Sequence, residues 1–254
     1  MLDRTSRNIA LTAFGRAMLP SARRLVELTE ILEFEAERAK LQPFLFAVPS
    51  CSPPALARLI AEGRRHQLNL ETRTGDPFQR RELVRSHEVR AALIATGADQ
   101  ASWRIPLGLA DDLGPHTAPL YLDSLRPGRA DRDARRRRIW LEPEDDVPHI
   151  RDSISRLRDA LGLQPKQVSV ARSLVAAVAE VFGSGDLLLC TAAQAEDLGL
   201  HWRPIGDLTL VRGYRLETEQ GEDSDRILSL PHRLIGNYLG VPRYRLSRGS
   251  GVES

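Results

Sequence analysis

Apolar residues between Thr12 and Glu37 recur at spacings of three and four: Phe14, Met18, Ala22, Leu25, Leu28, Leu32 and Ala36. With 3.6 residues per turn, that spacing lines them along one stripe of an α-helix. The pattern predicts a helix of about seven turns. Thr12 is its N-cap, a hydroxyl able to accept an orphan backbone N–H. Gly15 and Pro20 weaken the first turns, and Leu41-Gln42-Pro43 ends the run. A helix this long with a narrow apolar stripe calls for a partner helix. The competing reading lays it on its own domain. Nothing else in the first 40 residues could cover the stripe, so pairing of two chains is preferred. Phe14, Met18, Ala22, Leu25, Leu28 and Leu32 are the expected contacts.

From Phe44 the pattern switches to short apolar runs alternating with amphipathic ones. Strands are predicted over 44–48, 68–73, 91–95 and 105–109, with helices over 53–66 and 77–86. Asp76 caps the second helix, with Gln79 in capping-box position. A Pro-, Gly- and charge-rich loop spans 111–138. The rhythm then restarts with strands over 138–141, 168–170 and up to Cys190, and helices over 148–161, 173–182 and 191–198. An extended piece over 201–205, a strand over 208–216, an acidic loop over 217–225 and a helix to Tyr238 follow. Such alternation is the signature of parallel α/β sheets. Two α/β units in tandem, with a strand and helix left over to return to the first, give two lobes, two crossovers and a cleft. The expected division is 1–12, a linker helix 13–40, a first subdomain of 43–112 and 207–240, a second of 113–206, and a flexible tail 241–254.

Composition narrows the class more than the chemistry. At 42% hydrophobic and 28% charged residues, the 254-residue chain reads as an ordinary globular protein of one large or two modest domains. No apolar run reaches the ~18 residues of a membrane span, and the N-terminus lacks the apolar core of a secretory signal. Cys51 and Cys190 are too few for a disulfide framework and fit a reducing cytoplasm. No Cys/His cluster has metal-ligand spacing, and no cofactor is expected. The net charge of +2 says little, and Lys40 and Lys166 are the only lysines among 36 basic residues. That bias suggests GC-rich coding and discounts arginine abundance as a functional sign. The distribution is more informative: five arginines against Asp3 up to Arg24, then five glutamates and no base over 25–37. A basic start handing over to an acidic helix points the first end at an anion.

Ligands of such folds sit outside the carboxyl ends of the strands. Ser50, Cys51 and Ser52 follow the first strand and precede a helix, where backbone N–H groups and hydroxyls could hold a carboxylate or other anion. Simple capping by Ser52 is the plainer alternative. Thr96 faces the same edge; Pro143 to Asp146 and Ser173 come from the second lobe. Both cysteines read better as small buried hydrophobes than as a redox pair, since neither has an adjacent base. Arg135 to Arg138 reads better as a solvated loop than as a nucleic-acid contact. The six histidines are scattered, and neither a nucleophile elbow nor a P-loop is present, which argues against an enzyme.

"LDRTSRNIALTAFGRAMLPSARRLV" resembles the end of the winged helix-turn-helix and the start of the linker helix in LysR-type transcriptional regulators. Leu2, Arg4, Leu11, Thr12, Gly15 and Arg16 fall on that pattern; Phe14 replaces its usual small residue. "PFLFAVPSCSPPALARLI" looks like the first strand and helix of the family's effector-binding domain, and "VRAALIA" like the strand ending its first half-motif. "SLVAAVAEVFGSGDLLLCTAAQAEDLGLHWRPI" is similar to a stretch near the end of its second subdomain, without the usual proline after "SGDLLLCT". The resemblance covers about residues 2–240 and implies a two-lobed periplasmic-binding-protein-like effector-binding domain behind a long linker helix. It also implies that the 50–52 loop lines an effector pocket, and that partners are DNA, a small-molecule effector and a second or further copies, as homodimer or homotetramer. Arg4, Thr5, Ser6 and Arg7 would be a wing that touches phosphate and minor groove, while bases are read by a recognition helix. Only the residues up to Leu11 stand before the linker helix, so the chain as given is expected to lack sequence-specific DNA recognition, through a late coding start or truncation. The alternative is a small-molecule sensor or hetero-dimerising module without DNA function.

Overall fold

The computed structural model describes residues 2–5, 8–41, 43–115, 118–126, 135–218 and 222–242. The chain divides into two compact units, Met1–Pro43 and Phe44–Ser254. In the first, β1 (Leu2–Thr5) pairs antiparallel with β2 (Asn8–Leu11), Leu2 opposite Leu11. Arg4 and Thr5 lie on β1; Ser6 and Arg7 fall outside the described residues. Helix α1 (Ala13–Leu41) follows. Thr12 caps it as expected, its Oγ1 accepting the Gly15 N–H at 3.1 Å. Pro20 sits inside the helix without ending it.

In the second unit, β3 (Phe44–Val48), α2 (Pro53–Arg65), β4 (Leu70–Thr74), α3 (Pro77–Arg85), β5 (Ala91–Thr96) and β6 (Trp103–Asp111) come first. Next are β7 (Ile139–Leu141), α4 (Pro148–Ala160), β8 (Val168–Val170), α5 (Leu174–Ser184), β9 (Leu187–Thr191), α6 (Ala192–Asp197) and β10 (His201–Pro204). Strand β11 (Leu210–Thr218) and helices α7 (Glu222–Leu228) and α8 (His232–Leu239) complete the unit. The predicted final helix is therefore two, broken before Pro231, whose ring cannot continue a helix interior. A 3₁₀ turn at Leu122–Leu125, inside the predicted loop, was not foreseen. The flexible-tail expectation for 243–254 lies outside the described residues.

The strands form one sheet in the order β4-β3-β5-β11-β6-β9-β7-β8, with β10 on β6. It is mixed, not parallel. Parallel pairs join β3 to β4 and β5, and β7 to β8 and β9. Strand β6 runs antiparallel to β9, β10 and β11, and β11 antiparallel to β5. Apolar periodicity reports which face a strand buries, not its direction, so the reversal of these long strands was not readable.

Helices cover both faces, so the inner strands are apolar on both sides. In β3, Phe44, Phe46 and Val48 face one core while Ala47 faces another. In β9, Leu187 and Leu189 face one core, and Leu188 and Cys190 another. The two long strands link the halves. Trp103 and Ile105 of β6 belong to the first large core, Leu107 and Leu109 to the second. Tyr214 of β11 belongs to the first and Leu210 to the second. Between them on the same face stands Arg212, paired with Ile105, at the seam where one core gives way to the other. Gly108 lets β10 come close: a Cβ there would strike the Arg203 carbonyl and lie 2.5 Å from the Trp202 ring.

Candidate functional site

The seam is polar, buried and built from both halves. On the first half, the Asp76–Gln79 capping box fixes the start of α3: Asp76 Oδ1 accepts the Gln79 N–H at 2.8 Å and Gln79 Oε1 accepts the Asp76 N–H at 3.0 Å. Arg80 and Val84, one turn apart, are the buried residues of that helix. Arg80 is fully buried. Its Nε donates to the Leu93 carbonyl at 2.7 Å and its Nη1 to the Gly75 carbonyl at 2.6 Å. The remaining fork points at the second half. Nη1 and Nη2 each donate to a Glu144 oxygen at 2.8 Å, and the Tyr214 hydroxyl donates to Glu144 Oε1 at 2.8 Å.

On the second half, β7 is followed by Glu142 and a 3₁₀ turn, Pro143–Asp145. Arg212 reaches this turn from β11. Its Nε and Nη2 donate to the two Asp145 oxygens at 2.8 and 2.6 Å, and Nη2 also donates to Glu142 at 2.6 Å. Gln194 Nε2 of α6 donates to the same Glu142 oxygen at 2.8 Å. Bidentate arginine–carboxylate bonds are the strong, directional kind.

The electrostatics are one positive charge short. Glu142, Glu144 and Asp145 oppose two guanidiniums, Arg80 and Arg212, and all five are buried. Burial pushes the Asp145 carboxyl up from 3.8 to about 7; Arg212 pulls the other way, and Glu142 and Glu144 add to the rise. Burial also disfavours charge on Arg212, yet Asp145 and Glu142 hold it protonated well above its ordinary range. Burial, with Glu144 nearby, raises the Tyr214 phenol and keeps it a donor. Removing one member of such a buried network leaves an uncompensated charge and typically costs about 3–5 kcal/mol.

The predicted site residues gather only in part. Cys51 lies near Arg212, Glu144 and Tyr238. The Tyr238 hydroxyl reaches the Pro49 carbonyl at 2.5 Å, tying α8 to the end of β3. Ser50 is exposed, and Ser52 precedes α2 without a side-chain cap bond, so the plain capping alternative does not hold. Thr96 pairs with Gly213, next to Arg212 on β11. Pro143 belongs to the turn that carries Glu144 and Asp145. Asp146 is exposed and bound to Arg151 at 2.9 Å. Ser173 caps α5, its Oγ accepting the Ala176 N–H at 3.2 Å.

Burial favours the protonated form of both thiols. It raises Cys51 to about 11 and Cys190 further still. The basic run 135–138 is anchored rather than simply solvated. Arg137 and Arg203 bind buried Asp111 at 2.9 and 2.8 Å, while buried Asp186 accepts from the Arg138 N–H, Trp140 Nε1 and Arg135. Among the described residues no group of His, Cys, Asp and Glu could hold a metal ion. None of their helices is long and apolar enough to cross a membrane.

Sequence reasoning missed Arg80, Glu142, Gln194, Arg212 and Tyr214, whereas the segment Pro143 to Asp146 took in Glu144 and Asp145. A signal was present for some. Leu210, Arg212 and Tyr214 alternate along one strand face, so an arginine stood at a core-facing position. Arg80 falls one turn before Val84 on the inner side of a short helix. Nothing local marked Glu142 and Gln194, or which arginine each carboxylate of the 143–146 segment would meet.

No family-level sequence profile matches the chain. The HTH-type transcriptional regulator BlaA of Streptomyces cacaoi is 50% identical to it over 228 residues, covering 89% of this chain and 70% of that protein. Among solved structures, a Corynebacterium glutamicum OxyR mutant superposes with a TM-score of 0.56 at 17% identity, over 94% of this chain and 78% of that one. CbnR, a LysR family transcriptional regulator, gives 0.52 at 18%, over 93% and 83%. The structures support the fold: a linker helix and a two-lobed, periplasmic-binding-protein-like domain. Half of the aligned positions shared with one regulator, over most of both chains, carries the assignment further: this chain belongs to the LysR family of transcriptional regulators.

Proposed function

We propose that this chain is the sensing and pairing part of such a regulator: a small metabolite enters between the lobes and changes their relation, and α1 joins two copies. The observation that carries the reading is the seam. Buried arginines of one lobe meet buried carboxylates of the other where ligands of two-lobed α/β folds bind. A ligand that engages either set differently in two lobe arrangements shifts their populations, and only that differential affinity moves the equilibrium. Ser50, Cys51, Ser52, Thr96, Pro143, Asp146 and Ser173 remain the proposed rim, around subdomains 43–112 with 207–240 and 113–206. Pairing through α1 is supported by its stripe: Phe14, Met18, Leu25, Leu28 and Leu32 are all exposed in the single chain. Homodimers or homotetramers follow in the cytoplasm, with DNA contacted through the wing residues Arg4, Thr5, Ser6 and Arg7 wherever a recognition helix accompanies them.

A thermal-shift screen of the whole chain against a metabolite panel tests sensing: a saturable rise in Tm with one compound is expected, and a flat panel argues against it. Salt-dependent binding to the DNA upstream of its own gene tests the DNA part. Tight sequence-specific binding by these 254 residues would refute the view that they pair and sense without reading bases. The second reading, a module that forms mixed dimers, is favoured by the same exposed stripe. It predicts association with a longer family member in preference to self-association.

A further inference from the structure

Arg80 is oriented by its own lobe. The Leu93 and Gly75 carbonyls accept from its Nε and Nη1, two bonds that do not involve Glu144. What remains is a flat fork beside the Tyr214 hydroxyl. These three donors converge on one carboxylate, that of Glu144. Arg80 is 0% exposed, Tyr214 2% and Glu144 8%, so the seat is dry. Glu144 itself rides on a three-residue 3₁₀ turn of the opposite lobe. That turn belongs to no strand of the sheet.

We propose that Arg80 and Tyr214 form a carboxylate seat in which Glu144 is a built-in occupant, and that a carboxylate-bearing small molecule takes this seat in exchange for Glu144. The proposal rests on the reading of the cleft as the effector site and names the ligand class. Charge decides between anions. A monocarboxylate replaces Glu144 like for like, and the released Glu144 regains water. A phosphate dianion would add charge beside Glu142 and Asp145, already one carboxylate in excess. Geometry agrees, because two parallel guanidinium N–H bonds match a planar carboxylate.

An internal occupant lowers apparent affinity by the fraction of time the seat is free. A seat filled at least nine-tenths of the time therefore weakens an outside carboxylate about tenfold or more. The test titrates acetate, at constant ionic strength, into the wild-type chain, Glu144→Ala, Glu144→Gln and the double variant Arg80→Met/Glu144→Ala, read by calorimetry and thermal shift. Acetamide is the neutral control. The proposal expects saturable acetate binding to Glu144→Ala at least tenfold tighter than to wild type, an intermediate value for Glu144→Gln, and none for acetamide or the double variant. If circular dichroism shows Glu144→Ala unfolded, Glu144→Gln decides, since its amide preserves the packing. The proposal is overturned if no folded Glu144 variant binds acetate more tightly than wild type, if acetamide serves equally well, or if the double variant binds like Glu144→Ala. Those outcomes remove the seat and leave the metabolite panel on the wild-type chain to judge the cleft.

Discussion

Asp145→Asn isolates the missing positive charge at the seam. In the fold, Asp145 holds its proton up to about pH 7, against an ordinary value of 3.8. Between those values the folded chain carries one more proton than the unfolded chain. The folded pKa is the raised one, so this stabilisation is complete below 3.8 and is lost as pH rises through 7. Each pH unit in the window is worth about 1.4 kcal/mol. From pH 5 to 8 the loss therefore comes to about 2–3 kcal/mol, tapering near 7. Asparagine keeps the shape and an acceptor for Arg212 but cannot titrate. Urea unfolding of both proteins at pH 5 and pH 8, at fixed chain concentration, gives two stability differences. The fixed consequence of the substitution and every other titrating group cancel between them. The wild type should lose about 2–3 kcal/mol relative to Asp145→Asn on going to pH 8. A difference that stays level would mean that Arg212 alone keeps Asp145 ionised, and that no proton balances the three carboxylates against two guanidiniums.

Other expectations follow from single elements. Leu25→Glu with Leu32→Glu places charge on the exposed stripe of α1 and removes about 1.5–3 kcal/mol of burial per leucine; sedimentation should show self-association weakened by about 100-fold or more, and an unchanged assembly would remove α1 as the pairing surface. Gly108→Ala drives a Cβ into the Arg203 carbonyl and the Trp202 ring, so thermal melting should fall by the few degrees that correspond to about 1–3 kcal/mol. Ser173→Ala should cost about 1 kcal/mol in denaturant unfolding, because its hydroxyl caps α5. Ser52→Ala should be near neutral in the same assay, since Ser52 makes no side-chain cap bond; equal losses at both would contradict the capping geometry.

What the sequence determined here is local. Thr12, Asp76, Ser173 and Thr191 marked helix starts, and each accepts the expected backbone N–H. The stripe of α1 and the apolar runs of β3, β5 and β9 were legible because burial at 3.6- or 2-residue period leaves a trace in neighbouring positions. The motif around Leu11, Thr12, Gly15 and Arg16 indicated the family, since a wing and a linker helix are contiguous in the chain.

The tertiary structure decided what is distant. Arg80 meets Glu144 across 64 residues, and Arg212 meets Asp145 across 67. No period links such positions, so the sequence reading stopped at strand ends and did not reach the arginines. The directions of β6 and β11 were equally hidden, because a strand's face pattern is the same read either way. Those two strands carry the chain between cores and set Arg212 and Tyr214 opposite the turn at Pro143–Asp145. Pairing in space, not pattern in sequence, makes the buried charges affordable: an arginine at a core position is a penalty until the fold brings it a carboxylate.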